Sequence, residues 1–450
     1  MEMIITMDMG TNWTYYMKKI EVFEGNTLYE NPAQYSMNNP ICFFHGIDVN
    51  NKNINVPLDI DLLSRHLLFL GGIGTGKTNA FNQIITQLRK NMTSNDIMII
   101  FDTKGDFYHS FYKYGDVVIS NDETATGSNG ADFWNIFNEI ENDENMEVDI
   151  VEISKSLFHR KLEKTNQPFF PNAAKDLFSA VLTHFIRNRN IIKGNNDTLR
   201  TFFDSSQAAQ LREMLSQHDD MKAMISYIAD DRSPQTQGVI SELQQLSREI
   251  LLGNFKKKGT LSMRNLVRSK GCKLIFIEYD IGIGAMLSPI YSLLFDLAIK
   301  EALCRNKSEG NVYFIADEFR LIPNLQHIDD AVNFGRSLGV KFMIGIQNVE
   351  QVYECYGEQM ARSIMSGFLT SVSFRVNDAA SKQYIKNLHG ENRKKETYMS
   401  AVQTRGITEN IRDAHVVEDW DISNLKLGEA IIGLPEKPPF LFQFKKLDFE

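Results

Sequence analysis

At 450 residues the chain holds about three domains' worth of sequence, and its 43% hydrophobic and 23% charged residues give an ordinary globular composition with a substantial core. A formal charge of −9 argues against a protein that coats nucleic acid over its whole surface, while leaving room for a local basic lining inside a ring or channel. The four cysteines, Cys42, Cys272, Cys304 and Cys355, are scattered without a CxxC pair, which disfavours a zinc site or disulfide framework and fits a reducing, cytoplasmic compartment.

The opening MEMIITMDMGTNW lacks the basic-then-apolar plan of a secretory leader. No stretch approaches the roughly 20 uninterrupted apolar residues of a membrane helix. The nearest, 281–299, is broken by Asp296, so a soluble chain without its own membrane anchor is expected. Residues 1–60 alternate polar and apolar in short runs separated by Asn, Pro and Gly, the pattern of a small antiparallel β cap or an N-terminal sheet extension.

Arg65 to Thr78, RHLLFLGGIGTGKT, is the stretch around which the chain is organised. A buried strand at 66–70 feeds Gly71, four variable positions and Gly76-Lys77-Thr78, and the helical run NAFNQIITQL follows at once. Glycines there let consecutive backbone N–H groups turn toward a phosphate, and the helix start adds its positive dipole end. Gly72, Ile73, Gly74, Thr75, Gly76, Lys77, Thr78 and Asn79 are therefore the expected nucleotide-binding residues. Lys77 would reach the β- and γ-phosphates of ATP, and Thr78 would hold Mg²⁺ through its hydroxyl.

Further apolar runs at 96–101 and 117–120 continue a parallel sheet covered on both faces. Asp102 and Lys104, just past the first of these, lie where such sheets bind ligands, although a solvated turn explains them equally. From 131 to 270 apolar residues recur at helical spacing and strand-like runs vanish, which predicts an inserted all-α domain. Its exit carries Lys256, Lys257, Lys258, Arg264, Arg268 and Lys270 without an acid. That is either a solvated face or the best local patch for a DNA backbone. Strands at 272–278, 311–316, 340–346 and 370–376 resume the sheet, and LGEAIIGLPEKPPFLFQFKK closes it with a hairpin. The domain plan is a β region at 1–60, a nucleotide-binding domain from 61–130 and 271–450, and the helical insertion at 131–270.

Asp317-Glu318 ends the strand at 311–316. Beside an intact phosphate loop, Asp317 is the expected Mg²⁺ partner, and Glu318 the group that orients or deprotonates water. The competing explanation is a cap and first-turn acid for the next helix. Gln347, at the end of the next strand, is placed to sense the γ-phosphate.

The stretch FIADEFRLIPNLQHIDDAVNFGRSLGVKFMIGIQNVEQVYECYG resembles the coupling-protein ATPases of conjugative and type IV secretion systems, in the FtsK/HerA class of RecA-like ring motors. RHLLFLGGIGTGKT, DTKGD, FFPNAAKDLFSAVL and LKLGEAII extend the likeness over most of 60–435. The resemblance implies an α/β fold, a RecA-like P-loop NTPase with a mostly parallel central sheet and an inserted all-α domain. It further implies a homo-oligomer, a hexameric ring around DNA, that hydrolyses ATP between subunits. In that comparison Arg336 matches the arginine reaching into the neighbouring subunit's site, with Arg320, Arg362 and Arg375 as fallbacks. Departures are the missing N-terminal membrane helices, which raises the prospect of a separate membrane subunit, and Thr103 where proline is common. The expected function is a DNA-translocating ATPase. The alternative is a regulatory or scaffold ATPase that assembles with a partner effector in a defence or toxin system.

Overall fold

The computed structural model describes residues 2–7, 13–32, 37, 39–48, 50–121, 133–304, 310–400 and 407–447. Short apolar runs bounded by Gly, Asn and Pro form the early strands β1 (Glu2–Met7), β2 (Trp13–Glu24), β3 (Cys42–Ile47), β4 (Asn53–Leu58) and β5 (Leu67–Leu70). Next come β6 (Ile97–Asp102), β7 (Val117–Ile119), β8 (Lys273–Glu278), β9 (Val312–Ala316) and β10 (Val340–Ile346). The chain ends with β11 (Thr370–Ser373), β12 (Glu391–Ser400), β13 (Ile407–His415), β14 (Glu429–Gly433) and β15 (Phe440–Phe444). Two compact units result, one from Met1–Leu88, Gly345–Glu354 and Phe368–Glu450, the other from Arg89–Ile344 and Cys355–Gly367.

In the first unit the strands run in the order β4-β3-β15-β14-β11-β5. β11 lies parallel to β5, and the neighbours from β14 outward pair antiparallel. β3 pairs with β15 only at Gly46 and Ile47. Side-chain amides cover part of what remains: Gln83, on the helix Lys77–Asn91, accepts from His45 N at 2.8 Å and donates to His45 O at 3.0 Å. Gln87 repeats this on Phe43 at 2.9 and 2.8 Å. Glutamines one helical turn apart thus match alternate residues of a strand. A separate antiparallel sheet, β1-β2-β12-β13, joins the first hairpin to a late one. Within residues 1–60, β3–β4 extend the larger sheet and β1–β2 belong to the separate one.

In the second unit five strands, β10-β9-β6-β8-β7, are all parallel. Every residue of β6 and β9 is buried, as continuous apolar strands require when both faces are covered. Between β7 and β8 the described residues form helices, the longest being Met146–Glu163, Phe169–Arg187 and Pro234–Ile250. Local signals set their ends. Asn195 and Thr198 exchange side-chain and backbone hydrogen bonds, both 3.0 Å, at the start of Asn196–Ser205, and Ser233 caps Pro234–Ile250 with proline in its first turn. Phe178 stacks on Phe203 at 5.4 Å and meets Phe158 edge-on at 5.8 Å in the core of this region.

Two polar anchors hold the insertion. Fully buried Glu139 accepts from Trp134 Nε1 at 2.8 Å, Ser262 Oγ at 3.0 Å, Met263 N at 2.6 Å and Arg264 N at 3.2 Å, serving the exposed donors at the start of helix Met263–Ser269. Helix Gly284–Leu303 contains Pro289, which has no N–H to offer the carbonyl of Ala285 four residues back. Arg160 supplies the missing donor through Nη1.

Candidate nucleotide-binding site

β5 is buried at all four positions and delivers the chain into the glycine turn. Gly71 N donates to Ile346 O at 3.1 Å and Gly72 N to Arg375 O at 3.0 Å, so the ends of β10 and β11 frame the loop's first residues. Gly74 and Gly76 take φ of +70° and +118°, values an L side chain resists. A Cβ at Gly74 would meet nothing within 4 Å, so its backbone conformation rather than crowding calls for glycine there. Thr75 Oγ1 donates to Gly72 O at 2.8 Å and closes the turn. Lys77, 8% exposed, folds its ammonium back onto Gly71 O at 2.5 Å and Gly72 O at 3.2 Å. Thr78 and Asn79 follow in the first helical turn. Asn79 donates to Lys445 O at 3.1 Å and accepts from Leu447 N at 2.8 Å, which ties the helix to the segment after β15. Ile73, at the loop's tip, is 83% exposed. Gln347 directly follows Ile346, whose carbonyl accepts from Gly71 N.

A partner of the loop is absent from the sequence expectations. Gly428 N donates to Thr75 O at 3.0 Å, and a Cβ on Gly76 would lie 3.0 Å from Gly428 Cα. The turn before β14 thus presses backbone against backbone on the phosphate loop. LKLGEAII carries the signal, a glycine followed by a strand, but nothing in its local pattern names the loop as its partner.

The second unit carries the acids. Asp317 and Glu318 follow β9 at its C-terminal end. Glu318 does not cap the short turn Phe319–Leu321 with its side chain, which removes support for a plain helix-opening role. Its Oε1 lies 3.0 Å from Arg320 Nε. Arg336 is exposed in the turn Gly335–Leu338, which follows helix Ile328–Phe334. Arg362 is engaged by Glu358 at 2.7 Å on its own helix, and Arg375 offers its backbone carbonyl to Gly72 in the first unit. The loop residues with Gln347 thus belong to one unit, and Asp317, Glu318 and Arg336 to the other.

Two expectations are corrected. Asp102 accepts from Lys104 N at 3.3 Å and Tyr108 N at 2.7 Å, so it serves the start of helix Asp106–Phe111, while Lys104 is exposed. Burial, with Glu278 and Asp106 nearby, raises the Asp102 pKa against those hydrogen bonds. The basic exit of the insertion is also smaller than its sequence suggests. Arg264 is buried in a bidentate pair with Asp149, Arg268 is held by Glu301 at 2.7 Å and by Glu141, and Lys270 is buried. Lys257 lies over the Phe133 ring at 4.9 Å, leaving Lys256 and Lys258 as its exposed lysines. Among the described residues no helix is long and apolar enough to cross a membrane.

A buried strand, a glycine turn with positive φ at two positions and a lysine-led helix define a P-loop protein of the α/β class. The chain belongs to the family of the type IV secretion-system coupling protein DNA-binding domain, which matches residues 52–442. It is 21% identical over 368 residues, 79% of its length, to the coupling protein TraD of Escherichia coli (strain K12), and spans about half of that relative, 47%. Its fold is that of the plasmid coupling protein TrwB in complex with the ATP analogue ADPNP, with a TM-score of 0.72, 19% identity and 95% of each chain covered. Unbound TrwBdeltaN70 gives 0.71 at 20% identity, covering 88% of this chain and 87% of that one. VirB4 of Thermoanaerobacter pseudethanolicus gives 0.55 at 12% identity, covering 92% and 99%.

Proposed function

We propose that this chain is an ATPase that assembles with copies of itself and couples hydrolysis to binding and moving DNA, as a coupling protein of a conjugative or type IV secretion system. The observation that carries this reading is the formed phosphate loop in a chain whose residues 52–442 match that family. TrwB has been seen with ADPNP and with ADP and Mg²⁺, which supports the same ligands here. Thr78 and Asp317 offer a hydroxyl and a carboxylate, the hard oxygen donors that Mg²⁺ takes. Bound Mg²⁺–ATP supplies the electrophilic γ-phosphoryl group and neutralises its oxygens.

The remaining steps belong to the protein. Backbone N–H groups of Gly72–Asn79 hold the phosphates, and Lys77 swings from the carbonyls of Gly71 and Gly72 to the β,γ-oxygens. Glu318 orients the attacking water and takes its proton, Gln347 reads the γ-phosphate, and Arg336 neutralises charge on the transferring group of an adjoining copy. A hexameric ring, a partner membrane subunit and a cytoplasmic location complete the proposal.

DNA contact is assigned to a few exposed cations, because the insertion's basic exit is largely occupied by internal partners. The test is ATP turnover with and without DNA across a salt series, with Lys77→Ala as control. The expected result is DNA stimulation that fades steeply as salt rises, and loss of ATP binding in Lys77→Ala. Turnover indifferent to DNA at every salt concentration would instead favour the scaffold ATPase that works with an effector partner.

A further inference from the structure

Helix Met146–Glu163 of the insertion takes part in a chain of charges that the proposed function leaves unused. Arg264 grips Asp149 with both terminal nitrogens, at 2.5 and 2.6 Å. Lys300 joins Asp149, at 3.2 Å, to Glu152. Glu152 lies 4.0 Å from His327 Nε2, and Gln326 donates to the Glu152 carbonyl at 3.3 Å. His327 donates to Asp296 from its backbone N and from Nδ1, each at 2.9 Å. Asp296 accepts from Nδ1, while Glu152 faces Nε2 as a charge at 4.0 Å, and the ring form that suits both is the positively charged imidazolium.

His327 stands between two groups of the proposed mechanism. Toward the N-terminus the chain returns to Glu318; toward the C-terminus helix Ile328–Phe334 leads into the turn that carries Arg336. The segment between Glu318 and His327 is fastened elsewhere too. Ser292 Oγ donates to Pro323 O at 2.8 Å, Leu325 N donates to the Tyr356 hydroxyl at 3.4 Å, and Phe319 stacks on Tyr356 with centroids 5.9 Å apart. A segment fixed at these points moves only when an anchor moves, and Gln326 and His327 together reach the inserted helix, the first by a hydrogen bond to the Glu152 carbonyl and the second by a charge contact with the Glu152 carboxylate.

We propose that His327 is a positioning residue that ties helix Met146–Glu163 of the insertion to the segment carrying Glu318 and Arg336, so that a shift of that helix changes the placement of both. The inference rests on the roles given above to Glu318 and Arg336. The charged and titratable groups that act on the ring are Asp296 and Lys300 from helix Gly284–Leu303 and Glu152 from Met146–Glu163. Burial opposes the ring's charge, but the Asp296 hydrogen bond and the Asp296 and Glu152 charges outweigh burial and Lys300 and raise its pKa. The link is therefore complete at low pH, at and below the ordinary imidazole value. It is lost as pH rises through the raised value, when the ring gives up the positive charge that attracts Glu152.

The test compares ATP turnover of wild type, His327→Ala, His327→Asn, Glu152→Gln and Glu318→Gln between pH 6 and 9, with thermal unfolding and ATP-analogue binding to confirm folded protein. Asparagine places its amide nitrogen where Nδ1 stands, so it keeps the bond to Asp296 and cannot titrate. The expected results are a fall in kcat of about 10- to 100-fold with little change in KM for His327→Ala, and a similarly lowered kcat for His327→Asn, which keeps the Asp296 bond but cannot reach Glu152. His327→Asn should also lack the alkaline decline of wild type, and Glu152→Gln should move that decline to lower pH. Wild-type kcat in His327→Ala, or a wild-type pH profile in His327→Asn, would overturn the inference. Undiminished turnover in Glu318→Gln would overturn the hydrolytic role of Glu318 instead, with the two His327 variants still judging the link.

Discussion

Gly428 shows how much of a phosphate loop's shape is set by residues outside the motif. It holds φ at +77°, and a Cβ there would lie 2.9 Å from Gln443 Nε2, while its Cα limits Gly76 from the other side. Gly428→Ala should strain this turn by roughly 1–3 kcal/mol and weaken the Thr75 hydrogen bond. The expected outcome is a higher Kd for an ATP analogue, measured by titration, in a protein that still unfolds cooperatively. That Lys77 and Thr78 open a helix after a buried strand and a glycine turn, and that Asp317-Glu318 follow β9, was legible because local sequence carries that information. Gly428 and His327 were not, since their roles come from partners brought close only by tertiary folding.

Helices and buried strands were read well where periodicity was strong. β9 is an unbroken apolar run, β6 is one as far as its terminal Asp102, β10 is interrupted only by Lys341 and Gly345, and the closing hairpin was marked by its prolines. β12 and β13 escaped notice because their sequences, ENRKKETYMS and ITENIRDAH, carry charges along the strand and no clean alternation. Their strand state comes from cross-strand pairing, such as Lys395–Glu409 at 2.7 Å and Arg412–Glu396 at 2.9 Å. Nothing in the local sequence marks Glu139 and Asp149 as acids that work inside the fold. Glu139→Ala should leave four donors without their acceptor and cost about 3 kcal/mol, read as a lower urea midpoint. An unchanged midpoint would show that the insertion does not depend on this anchor.

At the scale of the whole molecule the proposed site needs a neighbour. Mixing Arg336→Ala with Lys77→Ala protein should restore part of the ATP turnover that each lacks alone, because one copy keeps the arginine and the other the phosphate loop; no recovery at any mixing ratio would remove Arg336 from that role. The two units also differ in how their chain is gathered. Most of the second comes from one continuous stretch, Arg89–Ile344, whereas the first needs three stretches. β2 finds its partner β12 only after residue 391 has been made. During synthesis the second unit can therefore mature early, while the opening hairpin waits on the ribosome with an open strand edge, the state in which nascent β structure most readily binds chaperones or aggregates.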